Sequence, residues 1–97
     1  MKLRLRLRPA ARKDIDEIWR YTSDMWGKRK ANEYVRMLTG SLDVVDANPG
    51  LARLAGVGEP GLRKYVAGSH VIYFHIEPAS IDVVRILHGS MDPKLHL

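Results

Sequence analysis

The stretch from Leu62 to Asp92, LRKYVAGSHVIYFHIEPASIDVVRILHGSMD, leaves this chain little choice of architecture. β-Branched and aromatic residues gather there in three short runs, separated by Ala67-Gly68-Ser69 and Pro78-Ala79-Ser80. Links this short join antiparallel neighbours, because a parallel crossover needs a dozen residues or more. The pattern predicts strands at about 62–66, 70–77 and 81–88. In the middle strand Ile72, Phe74 and Ile76 take one face, and Val71, Tyr73 and His75 the other. In the last, Val84 and Ile86 oppose Val83, Arg85 and Leu87. Arg85, His88 and Asp92 crowd the end of this sheet, where a binding or catalytic surface is expected.

The residues before it supply the packing layer. KLRLRLR at residues 2–8 alternates strictly, so Leu3, Leu5 and Leu7 share one face of a strand and Arg4, Arg6 and Arg8 the other. The arginines read as the solvated face of an edge strand, where charge discourages edge-to-edge association; the competing reading is a docking surface for an acidic partner. Pro9 suits a first helical turn. From Ala11 through Ile15, Ile18 and Trp19 to Met25 and Trp26 the apolar residues recur mostly at spacings of three and four, an amphipathic helix that Gly27 ends. Asp14, Asp16 and Glu17 fall early in it, favourably placed for its dipole. A second helix carries Ala31, Tyr34, Val35, Leu38, Leu42 and Val45 on one face and must stop before Asn48-Pro49. So short a link makes the two an antiparallel hairpin. Gly40, inside the second helix, is expected to mark a close contact. Residues 49–61, rich in glycine and proline, form the one long loop. The expected fold is α+β, in the order β-α-α-β-β-β, a helical hairpin packed on a small antiparallel sheet.

Length and composition narrow the function. At 97 residues the chain is expected to be a single domain, 1–97, burying roughly 60–65% of its unfolded surface. It has no cysteine, which excludes disulfides, thiolate metal sites and cysteine nucleophiles. No apolar run resembles a membrane span or a signal peptide, so a soluble, cytoplasmic protein with no membrane partner is expected. The formal charge of +5 favours acidic partners without choosing among them. No HExxH, P-loop, GxSxG or dinucleotide fingerprint occurs. His70, His75, His88 and His96 lack the spacing of a helical metal site, so neither metal nor cofactor is expected.

Adjacent strands bring Arg63, Tyr73 and Arg85 within reach of one another as a cationic, aromatic-lined patch. Arginine offers paired donors to phosphate or carboxylate, and the His88 imidazole is a candidate acid or base. The plainer alternative is that Arg85 and Asp92 pair to pin the C-terminal tail. Strict alternation also sets Arg85 and His88 on opposite faces unless the strand bends or ends first.

The chain resembles the ParE branch of the RelE/ParE toxin superfamily. The resemblance spans nearly all of residues 3–95. It rests on PAARKDIDEIWRY with Ala11, Asp14, Ile18 and Tyr21, then NPG, PGLRKY around Arg63, SHVIYFHI and VVRILHGSMD. It implies the fold derived above and a type II toxin–antitoxin role. The expected partner is a cognate, ParD-like antitoxin whose C-terminal segment wraps the toxin in a hetero-oligomer and whose N-terminal part binds operator DNA, so that the toxin reaches that DNA only indirectly. The implied action is inhibition of DNA gyrase by binding, with no catalytic residue. Target engagement is expected from Arg63, Arg85, His88, Met91 and Asp92. Leu3, Leu5, Trp19, Tyr21, Leu38 and Tyr73 are expected at the antitoxin groove or in the core, two roles the pattern does not separate. Two alternatives stand beside this reading. One is a ribosome-dependent endoribonuclease with Arg63, Arg85 and His88 at its site; the other is a non-toxic antitoxin-binding module. His88 is followed by Gly89 rather than by the tyrosine of some ribosome-dependent nucleases, which favours the gyrase reading. Ser90 and His75 stand where ParE-like chains commonly carry arginine, which weighs toward reduced toxicity.

Overall fold

A computed structural model describes residues 4–97; Leu3 lies outside them. The strands are β1 (Arg4–Leu7), β2 (Arg53–Leu54), β3 (Arg63–Ala67), β4 (His70–Ile76) and β5 (Ser80–His88), and the helices α1 (Pro9–Trp26) and α2 (Lys28–Ala47). Short 3-10 turns occupy Pro49–Leu51 and Pro93–Leu95. The strands form one sheet in the order β1-β5-β4-β3-β2. β3, β4 and β5 are the antiparallel meander that their short links predict. Two features depart from the expected small antiparallel sheet. β1 joins the edge of β5 in parallel, made possible by the long connection through the helices and the meander. The loop expected over 49–61 contributes β2, antiparallel to β3.

A single residue separates the helices. Gly27, at φ +92°, donates its N–H to the Ser23 carbonyl and accepts from Ala31; this backbone region admits glycine at little cost and strains other residues. The hairpin covers one sheet face. There Leu38, Val45, Ile72, Phe74, Ile81 and Val83 are fully buried, each stabilising the fold by about 1.5–3 kcal/mol through burial. Leu5, Ile15 and Ile18 pack at the margin of this core. Gly40 marks no contact: no atom lies within 4 Å of where its side chain would be.

The opposite face holds a second, smaller cluster of Leu62, Tyr73 and Leu87, against which Ala55 and Leu97 pack. Both faces of β4 are therefore covered, which accounts for its unbroken apolar run. Strict alternation fails in β5. Tyr73 pairs with Arg85 but Phe74 with Val83, leaving Val84 as an extra, bulged residue. Val83 and Ile86 thus share the helix-side core while Val84 and Leu87 serve the far cluster, correcting the faces read from period two.

Candidate functional site

β5 outruns β1. β1 ends opposite Val83, so residues 84–88 have no strand on that side, and α1 fills the position instead. Asp14 accepts the N–H of Ile86 at 2.9 Å, completing the strand's hydrogen bonding from a side chain. The same carboxylate receives Arg85 Nε–H at 2.7 Å and a terminal N–H at 2.9 Å. Another guanidinium N–H donates to the His96 carbonyl at 3.0 Å. Arg85 is therefore a clamp joining β5, α1 and the C-terminal tail. The hydrogen bonds to Asp14 raise its pKa further, and burial acts against this. A charge pair so enclosed holds because hydrogen bonds back it on both sides: Asp14 accepts three, and Arg85 donates to both carboxylate oxygens and to the tail.

Beside this clamp lies a groove of about 940 Å³. Its walls are Ile18, Tyr21 and Trp26 of α1, Lys30 and Tyr34 of α2, and Leu87, His88 and Met91 at the end of the sheet. Tyr21 and Trp26 stack edge to face at 6.4 Å and are each 62% exposed. Paired aromatics left this open are a common anchor for a protein partner. The inner end of the groove is polar. Gly68, at φ +58°, makes the β3–β4 turn, where a side chain would meet Tyr34 Oη at 2.9 Å. That approach lets the Ser69 N–H donate to Tyr34 Oη at 3.0 Å, while Tyr34 Oη lies 2.6 Å from His70 Nδ1. Burial, then the neighbouring His88, lowers the pKa of His70, and Asp14 offsets part of this.

A second charged cluster lies on the opposite sheet face. Arg8 bridges Glu59 of the long loop and Asp82 of β5, and His75 reaches the same Glu59 at 2.8 Å. Arg8 chiefly, with His75, holds the Glu59 carboxyl down to about 2.

The residues singled out from the sequence fall into distinct places. Arg85, His88 and Met91 line the groove with Tyr21. Arg63 is elsewhere: it pairs with Phe74 across β3–β4 and donates to the Ala52 carbonyl at 3.1 Å. Lys64, not Arg63, stands opposite Tyr73, so the patch of Arg63, Tyr73 and Arg85 does not assemble. Arg85 pairs with Asp14, not Asp92; Asp92 instead accepts the N–H of Lys94 and caps the last turn. Leu38 lies wholly in the core and Tyr73 in the far cluster, 4% exposed, with burial pushing its phenol up. Trp19 is half-buried, donating to Asn32 Oδ1 at 2.9 Å. Asp14, Tyr34, His70 and Glu59 were not among the residues expected at a site. For Asp14 the signal was present: an acid on the apolar stripe, between Ala11 and Ile18 at helical spacing, must find a buried partner.

Comparison with known proteins agrees with this geometry. Residues 5–93 match the family model described as ParE toxin of type II toxin-antitoxin system, parDE. The chain is 42% identical over 98 residues to Toxin ParE1 of Mycobacterium tuberculosis, covering all of both, and 32% identical to Toxin ParE1 of Caulobacter vibrioides over 95% of each. In fold it resembles a chain of the chromosomal ParDE TA system from P. aeruginosa (TM-score 0.70, 18% identity, 89% of this chain and 95% of that one). It also resembles the YoeB dimer from Staphylococcus aureus (TM-score 0.64, 14% identity, 91% and 98%). The family model and these relatives define a small toxin of the RelE/ParE class. Within that class, the chain belongs to the ParE family of type II toxin–antitoxin toxins.

Proposed function

We propose that the chain is a poison that acts by binding, held inactive by a cognate antitoxin whose C-terminal segment fills the groove between α1 and the end of β5. The observation that carries this reading is the groove itself, apolar-walled and rimmed by exposed Tyr21 and Trp26. A segment that folds on binding can cover so long a surface, and the basic toxin speeds its association with an acidic partner. The antitoxin's N-terminal part would carry the complex to operator DNA, and residues 1–97 would act as one unit in the cytoplasm. When the antitoxin is lost, the uncovered tail and groove engage DNA gyrase and trap cleaved DNA, with His88, Met91 and Asp92 nearest the target. Arg63 would contribute from a separate position. Arg85 serves by holding Asp14 and the tail in place rather than by free contact.

Binding without chemistry is favoured over RNA cleavage by the placement of the candidate catalytic groups. In-line attack by a ribose hydroxyl needs a base and cations gathered round one phosphate. Here Arg63 lies away from His88, and Arg85 is occupied by Asp14. Purified chain added to a gyrase supercoiling reaction should accumulate linear DNA, and co-expression with a cognate antitoxin should yield a stable complex. Truncated mRNA in a translating extract, with no DNA cleavage, would establish the ribonuclease reading instead.

A further inference from the structure

The inner end of the groove presents two imidazoles whose hydrogen bonding selects what they offer. His88 Nδ1 receives the backbone N–H of Ser90 at 3.1 Å, and a backbone amide can only donate; Ser90 Oγ, 2.7 Å from the same nitrogen, can donate to it as well. Its ring proton must then sit on Nε2. At His70 the logic is one step longer. Tyr34 Oη already accepts the Ser69 N–H, so its own proton is best used toward His70 Nδ1 at 2.6 Å, which again places the ring proton on Nε2. The two rings meet edge to face with centroids 5.3 Å apart. Neither Nε2 has a hydrogen-bond partner among the described residues. No buried polar side-chain atom there lacks one, so the His70 Nε2 keeps some exposure, and His70 lines the groove.

The groove end thus carries two neighbouring donors with no hydrogen-bond partner among the described residues. Asp14 is occupied by Arg85 and Ile86, and Glu17 and Lys30 contribute one charge of each sign to the groove lining. We propose that this end is a carboxylate seat: an Asp or Glu of the segment that fills the groove accepts from the Nε2–H groups of His70 and His88 and so fixes the segment's register. An ionised acceptor makes the stronger hydrogen bond with such donors, and a lone acid in an otherwise apolar groove specifies position in a way that hydrophobic contact does not. The inference rests on the antitoxin occupying the groove and adds which chemistry holds it there.

A double-mutant cycle tests it, using as probe the C-terminal segment of the cognate antitoxin and versions with each Asp changed to Asn or Glu to Gln. The unsubstituted segment must first bind; if it does not, the proposed function fails, and the seat with it. Given binding, H88A should lower affinity about 10- to 100-fold, as expected for a lost charge-assisted hydrogen bond of roughly 1.5–3 kcal/mol. One acid of the segment should lose its effect in the H88A background while the rest keep theirs, and H75A, on the opposite face, should change nothing. Coupling to no acid, or to all alike, overturns the seat while leaving the groove reading intact. Imidazole nitrogen NMR of the free chain is an independent check that requires no partner. Both His70 and His88 should show protonated Nε2 and bare Nδ1; a proton on either Nδ1 also overturns the proposal.

Discussion

Two long-range ion-pair clusters flank β5, and they differ in what surrounds them. Arg85 and Asp14 are largely enclosed, with side chains 22% and 9% exposed, and Asp14 also completes the backbone of β5. Arg8 and Glu59 also join distant parts of the chain, 51 residues apart against 71, but are 37% and 48% exposed. The enclosed pair is part of the construction: remove the acid, and a guanidinium and a strand N–H are stranded at the site where α1 replaces a β-strand. The exposed cluster fastens the long loop to the sheet, where water substitutes readily for either partner. Sequence separation does not distinguish the two; burial does.

The sharpest way to break this comparison is to remove each acid in turn. Asp14→Ala should destabilise the fold by about 3–5 kcal/mol, the cost of abandoning a buried partner, visible as a lowered denaturant midpoint. If Asp14→Ala and Glu59→Gln shifted the midpoint equally, the distinction would be lost. Next in size is an effect on binding alone. Tyr21→Ala and Trp26→Ala should leave thermal unfolding nearly unchanged, because both side chains are exposed. Each should weaken antitoxin binding by more than about 1 kcal/mol in calorimetry if the aromatic pair is an anchor.

Smaller effects should appear as pH dependence, with the two regions responding in different ranges. The folded state holds His70 below its ordinary 6.5, chiefly through burial, so folding favours the neutral ring. Its contribution is complete above about 6.5 and declines as the pH falls below that value, because the unfolded chain then binds the proton more readily. His70→Gln should flatten that part of the stability profile. Glu59 is displaced the other way, to about 2 from 4.5. Its contribution is present above 4.5 and is lost only as the pH falls toward 2, and Glu59→Gln should remove this acid-range slope. At neutral pH that change should be small, since the pair is about half exposed and water screens it.

Much of the fold was legible because its signals are local. Pro9 and Gly27 bound α1, Asn48-Pro49 ends α2, and the links at 67–69 and 78–80 dictate the meander. The parallel β1–β5 pair was not legible, since nothing within KLRLRLR states which edge it joins. The bulge at Val84 was equally hidden: it depends on how β5 fits against β4, and one extra residue reverses which side chains face the core. In the site, Arg85, His88, Met91 and Tyr21 were found from composition and resemblance. Their partners Asp14, Tyr34 and His70 come from other elements, and only the three-dimensional fold brings them together. Arg63 was included by sequence order, but its register opposite Phe74 sends it elsewhere.

Hydrogen–deuterium exchange on the chain, alone and bound to its antitoxin, tests the central claim most directly. Residues 14–30 and 84–91, which wall the groove, should gain protection in the complex, while the loop held by Arg8 and Glu59 should change little. Protection confined to that loop and the far face, with the groove still exchanging freely, would contradict the account.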